Sequence, residues 1–386
     1  MHLWILWEPA VWRMLARRLT YSLKGFVRYS GDAQRICKCI THRCFNGHYL
    51  QVSSGHFQNF YCRDFAICVP ALLNLGHHSY VMRTLHYALR IFAYHDKICT
   101  TINSRGQPHD FFDYGIDSLP FLLRALRQAS EHQNTASAAN SLLSRYSAFL
   151  EGQIQIFTSY IDMRSGLVRA DVRLSTMKDH MNRPSSCYAN CMAGMLAHEC
   201  KLLGLHNPLA DFDYGKLLMD HFYNGRFFLD HQDAKQYVAG DANTFPFYCG
   251  IIEDKHIFLS CLAAIRGAGL DSPFPLKYTN RPTTEVRMNI LPSLLAPNYE
   301  GTTIWMHLGL CFLYMIRRYV PKNLPDYLDA YTQHIEQYAN FLEVFNPDGT
   351  PYRAPFYVAD ESMSWAVMYL DLVNKRNQKN THFLGR

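Results

Sequence analysis

Apolar side chains recur at intervals of three and four residues over most of this chain, the spacing of one face of an α-helix. The pattern predicts helices at 11–24, 31–43, 64–75, 78–96, 114–129, 137–159, 185–203, 208–224, 253–267, 301–319, 326–343 and 361–375. The longest is 137–159, where Asn140, Leu143, Tyr146, Leu150, Ile154 and Phe157 are expected on one face. No alternating run is long enough to predict a sheet. Short hairpins are expected within 161–174 and 345–357, where a Ser-Gly or Asp-Gly turn separates short apolar runs.

These twelve helices pair as six antiparallel hairpins, joined alternately by short and long connections. The long ones are 97–113, 160–184, 225–252, 268–300 and 344–360, and they hold most of the Gly, Pro, Asp and Asn. Connections of that length inside a compact chain are uncommon and usually functional. Recurring after every second helix, they are expected at one end of a toroid, around one mouth. No sequence repeat and no composition shift marks a boundary. The expectation is an all-α toroid of six helical hairpins in a single domain over 1–386, with 1–45 as its first hairpin.

Composition narrows the function. Of 386 residues, 48% are hydrophobic and 18% charged, which suits a large globular core and argues against disorder. Aromatic residues reach 14%, with 25 Tyr and 24 Phe, a surplus that a broad core or an aromatic-lined cleft would absorb. The net charge of +6 is mild and no Lys/Arg run is present, so a nucleic-acid binder is not expected. None of the 12 cysteines forms a C-x-x-C pair, which leaves a zinc knuckle without support. Cys68, Cys261 and Cys311 lie in apolar helical stretches and read as buried free thiols, so a reducing, cytoplasmic location is expected. His77-His78 and the scattered other histidines lack ligand spacing, and no Gly-rich phosphate loop appears. No metal and no cofactor is predicted.

The apolar run Leu3–Trp7 is too short to span a bilayer, which takes ~20 residues. Arg17, Arg18 and Lys24 follow the apolar part, the reverse of a signal peptide. The segment reads as an amphipathic helix docked on the body, with attachment to a membrane surface as the alternative.

Chemistry-bearing residues gather in the long connections. Tyr61-Cys62-Arg63-Asp64-Phe65 and Asp113-Tyr114-Gly115-Ile116-Asp117 each open a helix. Ser175-Thr176-Met177-Lys178-Asp179-His180 precedes another. Gly240-Asp241-Ala242-Asn243-Thr244-Phe245 mixes acid, amide and aromatic, and Tyr299-Glu300-Gly301-Thr302-Thr303-Ile304-Trp305 enters helix 301–319. Glu343-Val344-Phe345-Asn346-Pro347-Asp348-Gly349 and Asp360-Glu361-Ser362-Met363-Ser364-Trp365 complete the set. Each acid alone reads as a helix cap or a helix-dipole charge. Together they place a carboxylate beside aromatics at every second helix. A sugar needs that combination: carboxylates and amides for its hydroxyls, aromatic faces for its C–H surfaces, and two carboxyls to act as acid and base.

From about Tyr61 to Leu372 the layout resembles the six-hairpin (α/α)6-barrel glycosidases, among them trehalases, glucosidase I and mannosylglycerate hydrolase, and glycogen-debranching enzymes. Phe60-Tyr61-Cys62-Arg63-Asp64 is similar to the aromatic-rich segment whose Asp binds the sugar at the cleavage subsite. Asp179 falls where that family carries its general acid. Glu343-Val344-Phe345-Asn346-Pro347-Asp348-Gly349 resembles the stretch whose Glu is the general base. Tyr299 to Trp305 looks like a Tyr-Arg-Gly-Pro-x-Trp element with Glu300 in place of Arg, and Met363-Ser364-Trp365 resembles Gly-x-Gly-Trp. The sequence departs from the family in having His180-Met181-Asn182 after the acid.

The resemblance implies an inverting glycoside hydrolase acting on an oligosaccharide or small glycoside, an α-linked glucoside or related sugar. Asp179 is then the acid and Glu343 the base, with Asp360 or Glu361 as the alternative base. Arg63, Asp64, Asp117, Asp241, Asn243, Trp305 and Glu361 are expected to grip the sugar, and Lys178 to point outward. Two other readings stand beside it. One is a non-catalytic carbohydrate-binding protein on the same barrel. The other is an epimerase or isomerase using His180, His198 or His307.

Overall fold

A computed structural model describes residues 9–377, apart from 112, 180, 182, 233–236 and 282–295. Leu3–Trp7, His180 and Asn182 lie outside the described residues. Thirteen α-helices occur among those described: α1 (Pro9–Lys24), α2 (Ala33–Arg43), α3 (Cys62–Asn74), α4 (His78–Tyr94), α5 (Ser118–Glu131), α6 (Ala136–Thr158), α7 (Cys187–Leu203), α8 (Tyr214–Phe222), α9 (Phe245–Tyr248), α10 (Lys255–Gly267), α11 (Met306–Tyr319), α12 (Leu324–Tyr338) and α13 (Ala366–Asn377).

Helices α3, α5, α7, α9, α11 and α13 form a closed inner ring, each packed on the next, with α13 returning to α3. Nearly every residue of α3 and α11 is buried, as a helix surrounded by others requires. The outer helices bury one face. In α6 that face is Ala139, Leu142, Tyr146, Leu150, Gln153, Ile154 and Phe157. Over its first turns the stripe thus runs one residue ahead of the expected one. Asn140 is exposed and Leu143 only half-buried, because Ala139 and Leu142 continue the three–four spacing back from Tyr146. The result is an all-α toroid of six helical hairpins.

Two features differ from the sequence expectation. Helix α9 has one turn, too short to show a helical period, yet Phe245, Pro246, Phe247 and Tyr248 are all buried and occupy an inner-ring place. Its hairpin partner is α10, through Phe247 against Phe258 at 5.1 Å between rings. Helix α2, in turn, packs on α13 and α12, so the two ends of the chain close the ring and α1 stands outside the hairpins. Close approach within the ring relies on small residues. A Cβ on Gly309 of α11 would collide with the Tyr331 hydroxyl and the Pro275 carbonyl.

Short strands staple the connections at one end of the ring. β1 (Phe60–Tyr61), β2 (Thr101–Ile102) and β3 (Pro108–His109) form an antiparallel sheet. β4 (Tyr114–Gly115) pairs in parallel with β5 (Leu174–Ser175), and β6 (Ile304–Trp305) antiparallel with β7 (Val344–Phe345). The expected hairpins exist as single bridges, Ile161 to Val168 and Phe345 to Pro351. All 12 cysteines are free; Cys68, Cys261 and Cys311 are buried. Among the described residues no helix is long and apolar enough to cross a membrane.

Candidate active site

The stapled connections bring three of the sequence-singled carboxylates, Asp64, Asp117 and Asp179, onto one guanidinium. Arg63, in the first turn of α3, donates from Nη1 to Asp117 Oδ2 at 2.8 Å and to the Thr176 carbonyl at 2.9 Å. Its Nη2 donates to Asp179 Oδ2 at 3.3 Å, and its Nε lies 4.0 Å from Asp64 Oδ2. The β4–β5 pairing produces this convergence, since Asp117 follows β4 and Asp179 follows β5. Asp117 sits at the N-cap of α5, yet its side chain makes no capping bond. It accepts instead from Arg63 and from the Tyr188 hydroxyl at 2.8 Å. Genuine caps elsewhere, Asp32, Asp213 and Asp254, spend their carboxylates on their own helix. Asp179 keeps its side chain 17% exposed and is oriented by the Ser175 hydroxyl, which donates to Oδ1 at 2.6 Å.

A second carboxylate, Glu343, is held by its own set of donors. Glu343 accepts from the Tyr299 hydroxyl on Oε1 at 2.6 Å, and on Oε2 from the Tyr357 hydroxyl at 2.6 Å and the Asp360 amide at 2.8 Å. A carboxylate offers about four lone-pair directions. Among the described residues three are filled, and the open one lies on Oε1. Burial first, then the nearby Asp360 charge, pushes the Glu343 carboxyl up to about 7. The β6–β7 pairing sets Trp305 opposite Val344, the residue after Glu343.

An aromatic floor links Glu343 to Asp64. Trp365 donates from Nε1 to Asp64 Oδ1 at 3.0 Å and lies 4.6 Å, ring to ring, from His307. His307 meets Trp305 at 5.2 Å, and Trp305 meets Tyr299, which holds Glu343. Burial raises Asp64 to about 6 against the opposing pull of Arg63. Burial also lowers His307 well below the usual range, with Arg63 adding to the effect, so its ring is neutral. The Tyr61 hydroxyl is buried without a hydrogen-bond partner among the described residues, within electrostatic reach of both Asp64 and Asp179.

Several expected sugar-gripping residues serve the scaffold. Asn243 accepts from the Phe228 amide and donates to the Phe228 and Ala239 carbonyls, which leaves its amide spent. Asp241 is fully buried beside Arg183 Nη1 at 2.6 Å and Lys178 Nζ at 3.3 Å. Glu361 binds Arg17 at 2.6 Å and the Val27 amide at 2.7 Å, and so ties α1 and the chain after it to the rim. Asp360 accepts from the Ser53 hydroxyl and the His56 and Phe57 amides, with His56 Nδ1 at 3.1 Å. It thus accepts three hydrogen bonds, as Glu343 does, but all from the 53–57 loop, and His56 Nδ1 makes no hydrogen bond among the described residues. Gly55 permits this, because a Cβ there would strike the Asp360 carboxylate.

Lys178 is the clear reversal. Expected outward, its side chain is fully buried and its ammonium lies between Asp230 at 3.5 Å and Asp241 at 3.3 Å. Arg183 bridges the same two carboxylates, and Tyr237 donates to Asp230 at 2.6 Å. Burial alone would raise Asp230, but Arg183 and Lys178 hold it below the ordinary carboxylate range. Arg183, Asp230, Tyr237, Tyr278 and Tyr357 were not singled out in sequence. Of these only Arg183 carried a local hint, as a cation directly after the acid motif. Among the histidines, His198 is exposed, in the latter half of α7, and His307 is buried in the aromatic floor. Among the described residues no group of three or more His, Cys, Asp or Glu could hold a metal ion.

No family model and no curated protein matches the sequence. Solved structures match over most of the chain. A GH63 mannosylglycerate hydrolase from Thermus thermophilus, solved with Tris and D-glycerate, aligns with a TM-score of 0.62 and 13% identity, over 89% of this chain and 100% of that one. A wild-type glycosidase aligns with a TM-score of 0.63 and 12% identity, over 95% and 98%. A rhamnosidase from Klebsiella oxytoca, with rhamnose bound, aligns with a TM-score of 0.60 and 11% identity over 91% of this chain. The chain spans only 65% of that rhamnosidase's length. The fold is that of the six-hairpin glycosidases.

Proposed function

We propose that the protein is a glycoside hydrolase that inverts the anomeric centre of an α-linked glucoside or related sugar. Asp179 protonates the leaving glycosidic oxygen as the C–O bond breaks. Glu343 takes a proton from a water that attacks the anomeric carbon from the opposite face. Water is consumed and the new hydroxyl has inverted configuration. The observation that carries the reading is the pair of differently held carboxylates. Asp179 is partly open to solvent. Glu343 is buried, gripped by three donors, and retains one open lone-pair direction with its carboxyl raised to about 7, a value suited to a base near neutral pH.

Arg63 positions Asp179 and is itself steadied by Asp117. In this reading Asp64 and the hydroxyl of Tyr61 hydrogen-bond sugar hydroxyls, and Trp305 covers a C–H face. The solved neighbours, a mannosylglycerate hydrolase and a rhamnosidase among them, are consistent with sugar hydrolysis and leave the sugar open. The test is a panel of α- and β-linked disaccharides and aryl glycosides, with product anomers followed by NMR. Hydrolysis with inversion is expected. Retention would remove Glu343 as a base. Sugar binding without turnover on any member would assign the barrel to carbohydrate binding.

A further inference from the structure

Helix α1 turns its polar face inward. Arg13 donates to the His56 carbonyl at 2.9 Å and to Asn59 at 3.0 Å, Arg17 pairs with Glu361 at 2.6 Å, and Arg18 donates to the Ala354 carbonyl at 3.1 Å. The opposite face carries Trp12, Ala16, Leu19 and Leu23, spaced four, three and four residues apart in one row along the helix. Trp12 is 63% exposed, Leu19 71% and Leu23 85%. An amphipathic helix that only had to cover a core would present this row to the barrel.

At the C-terminal end of the same helix lies a groove of about 290 Å³ lined by Tyr21, Lys24, Phe26, Arg28, Tyr338 and Arg353. Among the described residues, its lining has three cations and no acid. The 353–358 hairpin that supplies Arg353 is held to α1 by the Arg18–Ala354 bond and carries Phe356, 52% exposed.

We propose that this face of α1 docks onto an anionic phospholipid surface, with the Trp12–Leu23 row in the interfacial apolar layer and the Lys24–Arg28–Arg353 groove on the lipid phosphates. A single convex row offers no pocket and too little area for a stable protein partner, which buries on the order of 1,200 Å² or more around anchored hot spots. A bilayer interface needs neither, and takes up an apolar stripe flanked by cations. The inward arginines hold the helix to the rim, so the barrel rests on the surface through α1.

The test is co-sedimentation of the whole protein with phosphatidylcholine vesicles and with vesicles of phosphatidylcholine mixed with phosphatidylglycerol. Sedimentation is expected with the anionic vesicles and only weakly with the neutral ones. The double variant Leu19→Glu/Leu23→Glu should lower partitioning by about tenfold or more, and Lys24→Glu and Arg28→Glu by roughly fivefold each on anionic vesicles. These side chains are exposed, so circular dichroism and the unfolding midpoint should not change. The proposal is overturned if the wild type ignores anionic vesicles, or if the double variant sediments as the wild type does. It is equally overturned if size-exclusion chromatography shows a wild-type dimer that Leu23→Glu dissolves, since a second copy would then cover the face.

Discussion

Lys178 and Asp179 are adjacent in sequence and belong to different charge clusters. The ammonium of Lys178 lies 3.3 Å from Asp241, while the carboxylate of Asp179 faces Arg63 at 3.3 Å. The loop between β5 and α7 is therefore fastened from both sides. Arg63 holds the Thr176 carbonyl and Arg183 the Thr176 hydroxyl, and Tyr278 donates to the Met177 carbonyl. One neighbour builds the scaffold and the other is left at the mouth.

The first prediction separates chemistry from folding on this loop. Asp179→Asn keeps the shape and loses the transferable proton. Turnover of a glycoside with a poor leaving group should fall by roughly 10²–10⁴-fold, with sugar binding largely retained. Aryl glycosides with good leaving groups should lose much less. Near-normal turnover of the unactivated substrate would remove Asp179 from the acid role.

Lys178→Met should act on stability instead. It leaves Asp230 and Asp241, both fully buried, with Arg183 as the one remaining cation of their cluster among the described residues. Removing one partner from such a group costs about 3–5 kcal/mol. The double variant Lys178→Met/Asp241→Asn, which restores charge balance, should recover part of the loss in a denaturant melt. A single variant as stable as the wild type would show that the ammonium is not part of the balance.

How much of this was legible in the sequence follows from the range of each signal. Helix α3 and helix α11 were legible because their apolar periodicity is local, whereas α9, with four residues, has no period to read. Arg63-Asp64, Asp117, Asp179 and Glu343 stood out as charges among aromatics at loop–helix junctions. What no local pattern carried was side-chain direction. Arg183 meets Asp230 across 47 residues and Asp241 across 58, and those pairings arise only when the loops fold onto one another. The same limit explains Glu361. Its neighbour Asp360 turns to the rim loop of Ser53 to Phe57, and Glu361 turns to Arg17, a partner more than three hundred residues away in sequence.

The pH profile of kcat/KM should show an acid limb near pH 7, because Glu343 works ionised and its carboxyl is raised to about 7. Tyr357 donates to the ionised form and so holds that value down. Tyr357→Phe should move the acid limb to higher pH, so that activity lost at pH 7 is regained on the alkaline side. An unmoved limb would mean that it belongs to another group, of which Asp64, raised to about 6, is the nearest candidate. Asp64→Asn distinguishes the two.

The last prediction is a stability slope with the same origin. Glu343 has an ordinary value of 4.5 and a folded value of about 7. Between these limits the folded state binds more protons than the unfolded chain, so stability falls as pH rises through the window and is lowest above about pH 7. At 1.36 kcal/mol per pH unit the cost of burying the ionised carboxylate is on the order of 3 kcal/mol above that range. Asp64, raised to about 6, adds a slope of the same sign over the lower part of the window. Glu343→Gln should therefore stabilise the protein above pH 7, flatten the slope between pH 4.5 and 7, and abolish turnover of both activated and unactivated glycosides, since water must be activated whatever leaves. Denaturant melts of the wild type and Glu343→Gln at pH 5 and pH 8 measure this directly. If the variant differs from the wild type by the same amount at both values, the Glu343 carboxyl is not raised in the folded protein, and the acid limb near pH 7 belongs to another group.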